Sequence, residues 1–445
     1  MVHATLARLG PSSEWIRPAW RPFALAVVLL AAAWQPAPLN AQSLPVAQPE
    51  DVGLSTDRLE RLTAVMQAYV DDEKLPGAVA LVARRGKVAY FNAFGERDRE
   101  SGADLELDSI FRIASQTKAL VSVGVMILQE EGQLLIADPV GDYLPAFAQT
   151  TVAVANEDGE GYEVVAAKRP ITIRDLLTHT AGIGYGDGVA KDRWEAAGIT
   201  GWYFADRPEP VGTTVSRMAE LPFDAQPGER WIYGYSTDIL GALIERVSGD
   251  TLDVFLADRI LQPLAMKDTH FYLPAAKRDR LATVYSATKD GGLERAPTPG
   301  GMVGQGAYVD GPRASFSGGA GLLSTAADYA RFLQMLLNGG ELDGERILSR
   351  KTVELMVADH AGDQLTEDWA KGLGFGLGFH VVIDVGAAGA PSSVGEYGWG
   401  GAYHSTYWVD PTEELVVVYF TQIIPGRGLD DHGKLRSLVY QAIVD

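Results

Sequence analysis

Apolar residues recur at helical spacing from Leu59 to Tyr69, with Leu59, Leu62, Val65, Met66 and Tyr69 on one stripe, and this predicts a packing helix. Two β-rich apolar runs follow, Gly77 to Ala83 and Lys87 to Phe94, divided by Arg84, Arg85 and Gly86; they predict a hairpin and the start of a sheet. From Ser115 to Gln129 the chain is apolar almost all round, as expected of a central buried helix that Gly132 ends. The long middle region is punctuated by Pro and Gly. It carries helical patches at Ile173 to Leu177, Ile239 to Val247 and Leu252 to Leu261, with few strand signals. A further amphipathic helix is expected over Ala326 to Leu337. After Trp399 the strand pattern returns at Thr406 to Val409 and Leu415 to Thr421, turned by Asp410 and Pro411. Strands at both ends around a helical middle predict a discontinuous α/β domain with a helical insertion, an arrangement that leaves a cleft between two lobes.

The N-terminus changes the picture of where the chain works. Arg8, Arg17 and Arg21 precede an uncharged apolar run from Phe23 to Trp34, then Pro36, Pro38 and the small residue Ala41. This pattern predicts a signal peptide over residues 1–41, cleaved after Ala41, and a periplasmic or secreted mature protein. The run is shorter than the roughly 20 residues a membrane span needs, so no stable span is expected after cleavage. A formal charge of −20 over 445 residues disfavours nucleic acid and anionic lipid as partners. With no cysteine there is no disulfide framework and no thiolate nucleophile. The seven histidines form no H-E-x-x-H or H-x-H cluster, and neither a metal nor any other cofactor is expected.

Candidate chemistry starts at Ser115-Gln116-Thr117-Lys118. A serine hydroxyl needs a base within hydrogen-bond reach. If Ser115 opens the buried helix, Lys118 stands one turn along the same face, and the helix N-terminus favours a developing alkoxide. The chain holds a second S-x-x-K, Ser286-Ala287-Thr288-Lys289, but Asp290, Gly291 and Gly292 follow it instead of an apolar helix. It reads as loop.

Phe111-Arg112-Ile113-Ala114-Ser115-Gln116-Thr117-Lys118-Ala119 resembles the nucleophile segment of class C β-lactamases, D-alanyl-D-alanine peptidases and family VIII carboxylesterases. Leu176 to Gly182, Pro227 to Trp231, Pro263 to Met266 and Ser317 to Leu322 look like further landmarks of that superfamily, in its order. The resemblance runs from about Val52 to the C-terminus. It implies a β-lactamase/transpeptidase-like fold, an antiparallel sheet flanked by helices with an inserted mostly helical domain. The corresponding segments are 42–110 and 315–445 for the α/β part and 111–314 for the helical part carrying the nucleophile.

The family's Y-x-N triplet is matched in place by Tyr233-Gly234-Tyr235, which implies that Tyr233 exchanges protons with Ser115 and that Tyr235 stands where an Asn contacts amide substrates. Tyr90-Phe91-Asn92 fits the letters but lies in a predicted strand. No K-T-G is present; Trp399-Gly400-Gly401 stands where family VIII esterases carry W-G-G. Its glycines allow close backbone approach, and Trp399 gives an apolar wall where lactamases carry a cation. By the same likeness, the N–H groups of Ser115 and Ala402 would form the oxyanion hole. His360-Ala361-Gly362 matches an H-x-G variant but reads as solvated loop. His404 could reach the cleft, His179 suits a turn at a helix end, and Trp194, Trp202 and Tyr203 could line a pocket or pack the helical lobe.

The expected function is an exported serine hydrolase acting through an acyl-enzyme on carboxylic esters or related small acyl substrates. Which of Lys118 and Tyr233 is the formal base stays open. A D-amino peptidase, an amidase or a β-lactamase would use the same Ser115 chemistry but lacks here the usual carboxylate and amide contacts. A periplasmic binding or sensor protein that acylates without turnover is the non-enzymatic alternative.

Overall fold

Alternate residues of Gly77–Arg84 face two different cores, and this single strand shows how the architecture is built. In the computed structural model, which describes residues 43–158 and 160–445, all eight of its residues are buried. Val79, Leu81 and Ala83 pack into the large core of the helical side. Ala78, Ala80 and Val82 pack into a smaller core against the terminal helices. A strand has period 2, so an apolar run without polar alternation can only be covered on both faces.

The central sheet has eight strands: β1 (Gly77–Arg84), β2 (Lys87–Asp98), β3 (Ala103–Asp104), β4 (Leu373–Phe375), β5 (His380–Val382), β6 (Tyr397–Gly401), β7 (Ser405–Asp410) and β8 (Leu415–Thr421). Their order is β4-β5-β6-β7-β8-β1-β2-β3, and each neighbouring pair in it is antiparallel. The two chain ends therefore meet in one sheet, with Ala78 opposite Thr421 and Arg84 opposite Leu415.

Helix α1 (Thr56–Asp71) starts at Ser55, whose hydroxyl accepts from the Arg58 N–H. It buries Leu59, Leu62, Met66 and Tyr69 on one face of the sheet, beside Leu435 and Val439 of the C-terminal helix. Each such side chain stabilises the fold by about 1.5–3 kcal/mol. On the other face lie α2 (Thr117–Glu130), α3 (Ser236–Ser248) and α4 (Ala326–Leu337), the last capped by Thr325 accepting from the Asp328 N–H. Residues 117–128 of α2 are all buried, and the chain turns at Gly132 as the sequence predicts. The C-terminal helix is α5 (Asp431–Tyr440).

Three departures from the sequence reading matter. Ser115 lies in a 3-10 turn, Ala114–Gln116, ahead of α2 and not inside it. The middle region contains a hairpin, Thr151–Ala155 paired with Tyr162–Ala166, whose second strand is largely exposed and so shows little apolar signal. Ser286 lies in a short strand, Tyr285–Ala287, instead of a loop. The predicted signal segment 1–41 lies outside the described residues. Among the described residues no helix is long and apolar enough to cross a membrane.

Candidate active site

The turn carrying Ser115 is clamped from three sides. The Ile113 N–H donates to the Leu322 carbonyl, Leu322 N–H donates to Thr117 Oγ1, and the Tyr329 hydroxyl on α4 donates to the Gln116 carbonyl. Ala114, the residue before Ser115, is held at φ 42°, a left-handed conformation that costs a non-glycine residue energy and persists only where its surroundings fix it.

Lys118 is 1% exposed. Its Nζ donates to Ser115 Oγ at 3.3 Å, to the Tyr185 hydroxyl at 3.2 Å and to the Gly319 carbonyl at 2.8 Å. The same ammonium lies 4.5 Å from the centre of the Tyr233 ring, over its face. Each of its hydrogen-bond partners is neutral, and the nearest buried acid, Asp238, acts one step away. Asp238 lies in the first turn of α3; it accepts from Ser317 Oγ at 2.6 Å and from the Gly319 N–H at 3.1 Å, and so holds the loop whose carbonyl meets Lys118. A Cβ on Gly319 would come 2.3 Å from Asp238 Oδ2, which is the physical reason for glycine in Ser317-Gly318-Gly319. Burial raises the Asp238 carboxyl above its ordinary range, opposed by the Ser317 hydrogen bond and by the Lys118 charge.

Tyr233 reaches the site with its ring: its hydroxyl accepts from Trp399 Nε1 at 3.0 Å, and its face stacks on Trp231. His179, fully buried, packs its ring 4.7 Å from that of Tyr233, and desolvation holds its imidazole well below the ordinary range, hence neutral. The hydroxyl nearest the lysine belongs to Tyr185, which the sequence reading did not single out. It lies in an irregular loop with no periodicity to mark it. Burial pushes its phenol well above the usual value, so it is protonated.

Tyr235 does not take the place expected of it. It is 0% exposed, stacked between Trp194 and Phe204, and its hydroxyl donates to the Gly201 carbonyl at 2.8 Å. Tyr233 lines the cavity, whereas Tyr235 belongs to the core. Trp194 and Tyr203 are likewise core, whereas Trp202 lines the cavity.

Ser115 opens into a cavity of about 1080 Å³ whose wall includes Tyr185, Tyr233, Trp202, Trp399 and Ala402. Gly400 and Gly401, at the end of β6, also face it. A Cβ on Gly401 would lie 2.6 Å from the Ile113 carbonyl oxygen, so the strand end abuts the turn carrying Ser115 backbone to backbone. Gly401→Ala is therefore expected to displace β6 from Ser115, lowering kcat/KM on the order of 10²-fold while the far-UV spectrum stays native. Unchanged ester turnover in that variant would show that the contact is not needed.

Other sequence candidates fall elsewhere. Ser286 Oγ donates to the Ile424 carbonyl at 2.7 Å, and the hydroxyl is committed to that structural bond. His360 bonds through Nε2 to the Leu355 carbonyl outside this cavity. The arginine on the cavity wall is Arg230. His404 does line the cavity, with Nε2 2.8 Å from Oδ1 of the buried Asp431, and its ring stacks on His432 at 4.1 Å. The ligating atoms of these three residues lie within 4.8 Å of one another. Asp431 already receives the Tyr419 hydroxyl on Oδ2, and near-parallel imidazoles direct their lone pairs side by side, so the trio suits a hydrogen-bonded wall better than a metal centre.

Comparison with known proteins agrees in extent with this geometry. The Beta-lactamase family profile matches residues 62–440. Protein Rv1367c of Mycobacterium tuberculosis is 34% identical over 378 residues, 82% of this chain and 90% of that protein. Esterase EstB of Burkholderia gladioli is 34% identical over 378 residues, covering 81% of this chain and 89% of the other. The solved structure of EstCE1, a hydrolase with promiscuous acyltransferase activity, has a TM-score of 0.73 at 29% identity and covers 86% of this chain and 98% of that one.

Proposed function

The chain belongs to the Beta-lactamase family, and on that premise we propose that it is a carboxylesterase-type serine hydrolase working through an acyl-enzyme on Ser115. The observation that carries this reading is Lys118 Nζ held between Ser115 Oγ and the Tyr185 hydroxyl in a cavity wide enough for a small-molecule ester. In the proposed reaction the Lys118 ammonium first gives one proton to water, and the resulting amine takes the Ser115 proton as Oγ attacks the acyl carbon. The N–H groups of Ser115 and Ala402 receive the developing oxyanion, with Gly401 bringing the two segments together. The hydroxyl of a tyrosine beside Lys118, Tyr185 or Tyr233, gives its proton to the leaving alcoholate and is refilled from the Lys118 ammonium. Water then attacks the acyl-enzyme by the same route in reverse and releases the acid. The likeness to esterases such as EstB supports esters as the substrate class. The basic and then apolar N-terminal segment supports export, and with it a periplasmic or secreted location.

The wall chemistry favours neutral acyl esters over substrates with a free carboxylate. Trp399 presents an apolar ring at the end of β6, and the charged residues on the wall are Asp187, Asp224 and Glu367 against Arg230. A substrate carboxylate thus meets more repulsion than charge-assisted bonding. We expect kcat/KM for p-nitrophenyl butyrate to exceed that for nitrocefin and for a D-alanyl-D-alanine peptide. Equal or higher values for the latter two would replace the esterase reading with a lactamase or peptidase one. A single burst of acylation with no turnover of any of them would leave a sensor.

A further inference from the structure

A second cavity, of about 700 Å³, shares no wall residue with the first and is lined by four arginines, Arg97, Arg112, Arg278 and Arg295. Arg112 is the unusual one. It is 3% exposed, yet its partners are all neutral: Nε donates to the Gln305 carbonyl at 2.7 Å, and Nη1 donates to the Ala282 carbonyl at 2.7 Å and to Gln422 Oε1 at 3.1 Å. Among the described residues Nη2 has no hydrogen-bond partner, and no carboxylate lies within ion-pair distance of the guanidinium. A buried cation without a counterion is costly, and burial already disfavours its charged form.

The rest of the wall shows which charges are committed. Arg295 pairs with Asp98 and Glu100, and Arg278 pairs with the exposed Asp310. Arg97 makes only one long bond to the Asp104 carbonyl and, like Arg112, has no acidic partner among the described residues. Of the acids on the wall, Asp98 is taken by Arg295, Thr283 and Ser101, and Asp279 is exposed at the rim. The site is also fixed in shape. Gln305 accepts from the Val284 N–H and donates to the Val284 and Ala296 carbonyls, tying down the loop that closes one side.

We propose that this cavity binds a small oxyanion, a carboxylate or phosphate group, held by the open edge of the Arg112 guanidinium and by Arg97. A guanidinium fork matches both groups in geometry, and the bound anion would supply the counterion that the fold leaves out. The site is separate from the proposed ester chemistry, and its test does not depend on turnover.

The experiment follows the thermal midpoint of the full-length mature protein against inorganic phosphate and, in parallel, succinate, with sodium chloride at matched ionic strength as control. A saturable rise is expected with at least one of the two oxyanions and none with chloride. Arg97→Gln should raise the apparent dissociation constant about tenfold, the equivalent of one charge-assisted hydrogen bond. Arg112→Gln should abolish the response. Should that buried variant fail to fold, Arg97→Gln still decides the matter. Arg230→Gln, in the other cavity, should leave the response intact. A wild type without a saturable rise, an apparent dissociation constant unchanged in Arg97→Gln, or a rise lost in Arg230→Gln overturns the site. Phosphate alone acting, or succinate alone, identifies which group it takes.

Discussion

Ser115→Ala is expected to remove fluorophosphonate labelling and to lower ester turnover on the order of 10⁴- to 10⁶-fold, with folding stability changed by no more than about 1 kcal/mol. The reasons lie in what the hydroxyl touches. Ser115 is partly exposed to the cavity, and its Oγ receives one hydrogen bond, from Lys118, which keeps Tyr185 and the Gly319 carbonyl as acceptors when Oγ is gone. The turn itself is held by Leu322, Thr117 and Tyr329, none of which bonds the Ser115 side chain. Activity and stability therefore separate. Retained turnover in Ser115→Ala, or loss of it in Ser286→Ala with Ser115 intact, would remove Ser115 as nucleophile. The second result is not expected, because the Ser286 hydroxyl is committed to the Ile424 carbonyl.

The second large effect is expected from Lys118→Met, with kcat lowered by about 10³- to 10⁴-fold and KM changed far less, since the role proposed for the lysine is to move a proton and not to bind the acyl group. The stability of this variant should depend on pH in a stated direction. Asp238 already has a raised carboxyl pKa from burial, and Lys118 is one of the influences lowering it. Without the cation the folded-state value rises further above the unfolded one. A group of that kind penalises the fold as pH climbs above the ordinary carboxylate range, and the penalty is absent where both states are protonated. Below the ordinary carboxylate range, at a pH under about 4, Lys118→Met should match or exceed the wild type, because a buried ammonium with only neutral hydrogen-bond partners has been removed. Towards neutral and alkaline pH it should lose ground. A thermal-midpoint difference independent of pH would show that Asp238 and Lys118 are not coupled. Tyr185→Phe and Tyr233→Phe then apportion the proton relay. Each is expected to cost on the order of 10²-fold in kcat, and a near-wild-type result for one assigns the relay to the other.

Much of the fold is legible along the chain because its signals are local. The continuous β-rich apolar runs that become β1, β7 and β8, the uninterrupted apolar face of α2 and the stop at Gly132 each depend on neighbours within a few residues. The three-residue spacing of Ser115 and Lys118 is of the same kind: one helical turn brings Oγ and Nζ together wherever the helix goes. The short edge strands Leu373–Phe375 and His380–Val382 escape such reading because three residues carry too little pattern.

What only the tertiary structure decided are contacts between segments far apart in sequence. Tyr185 meets Lys118 across 67 positions from an aperiodic loop, and Asp238 fixes the Gly319 carbonyl across 81. The family-like triplet Tyr233-Gly234-Tyr235 places its first tyrosine at the cavity and its second in the core, a choice made by Trp194 and Phe204 packing on Tyr235. Arg230 came to the cavity wall, and Arg112, three residues before Ser115, turned its side chain away into a cavity of its own. The physical reason is common to all of these. Sequence pattern fixes which face of an element is apolar, whereas the partner of a buried polar group is set by which distant backbone arrives beside it when the layers close.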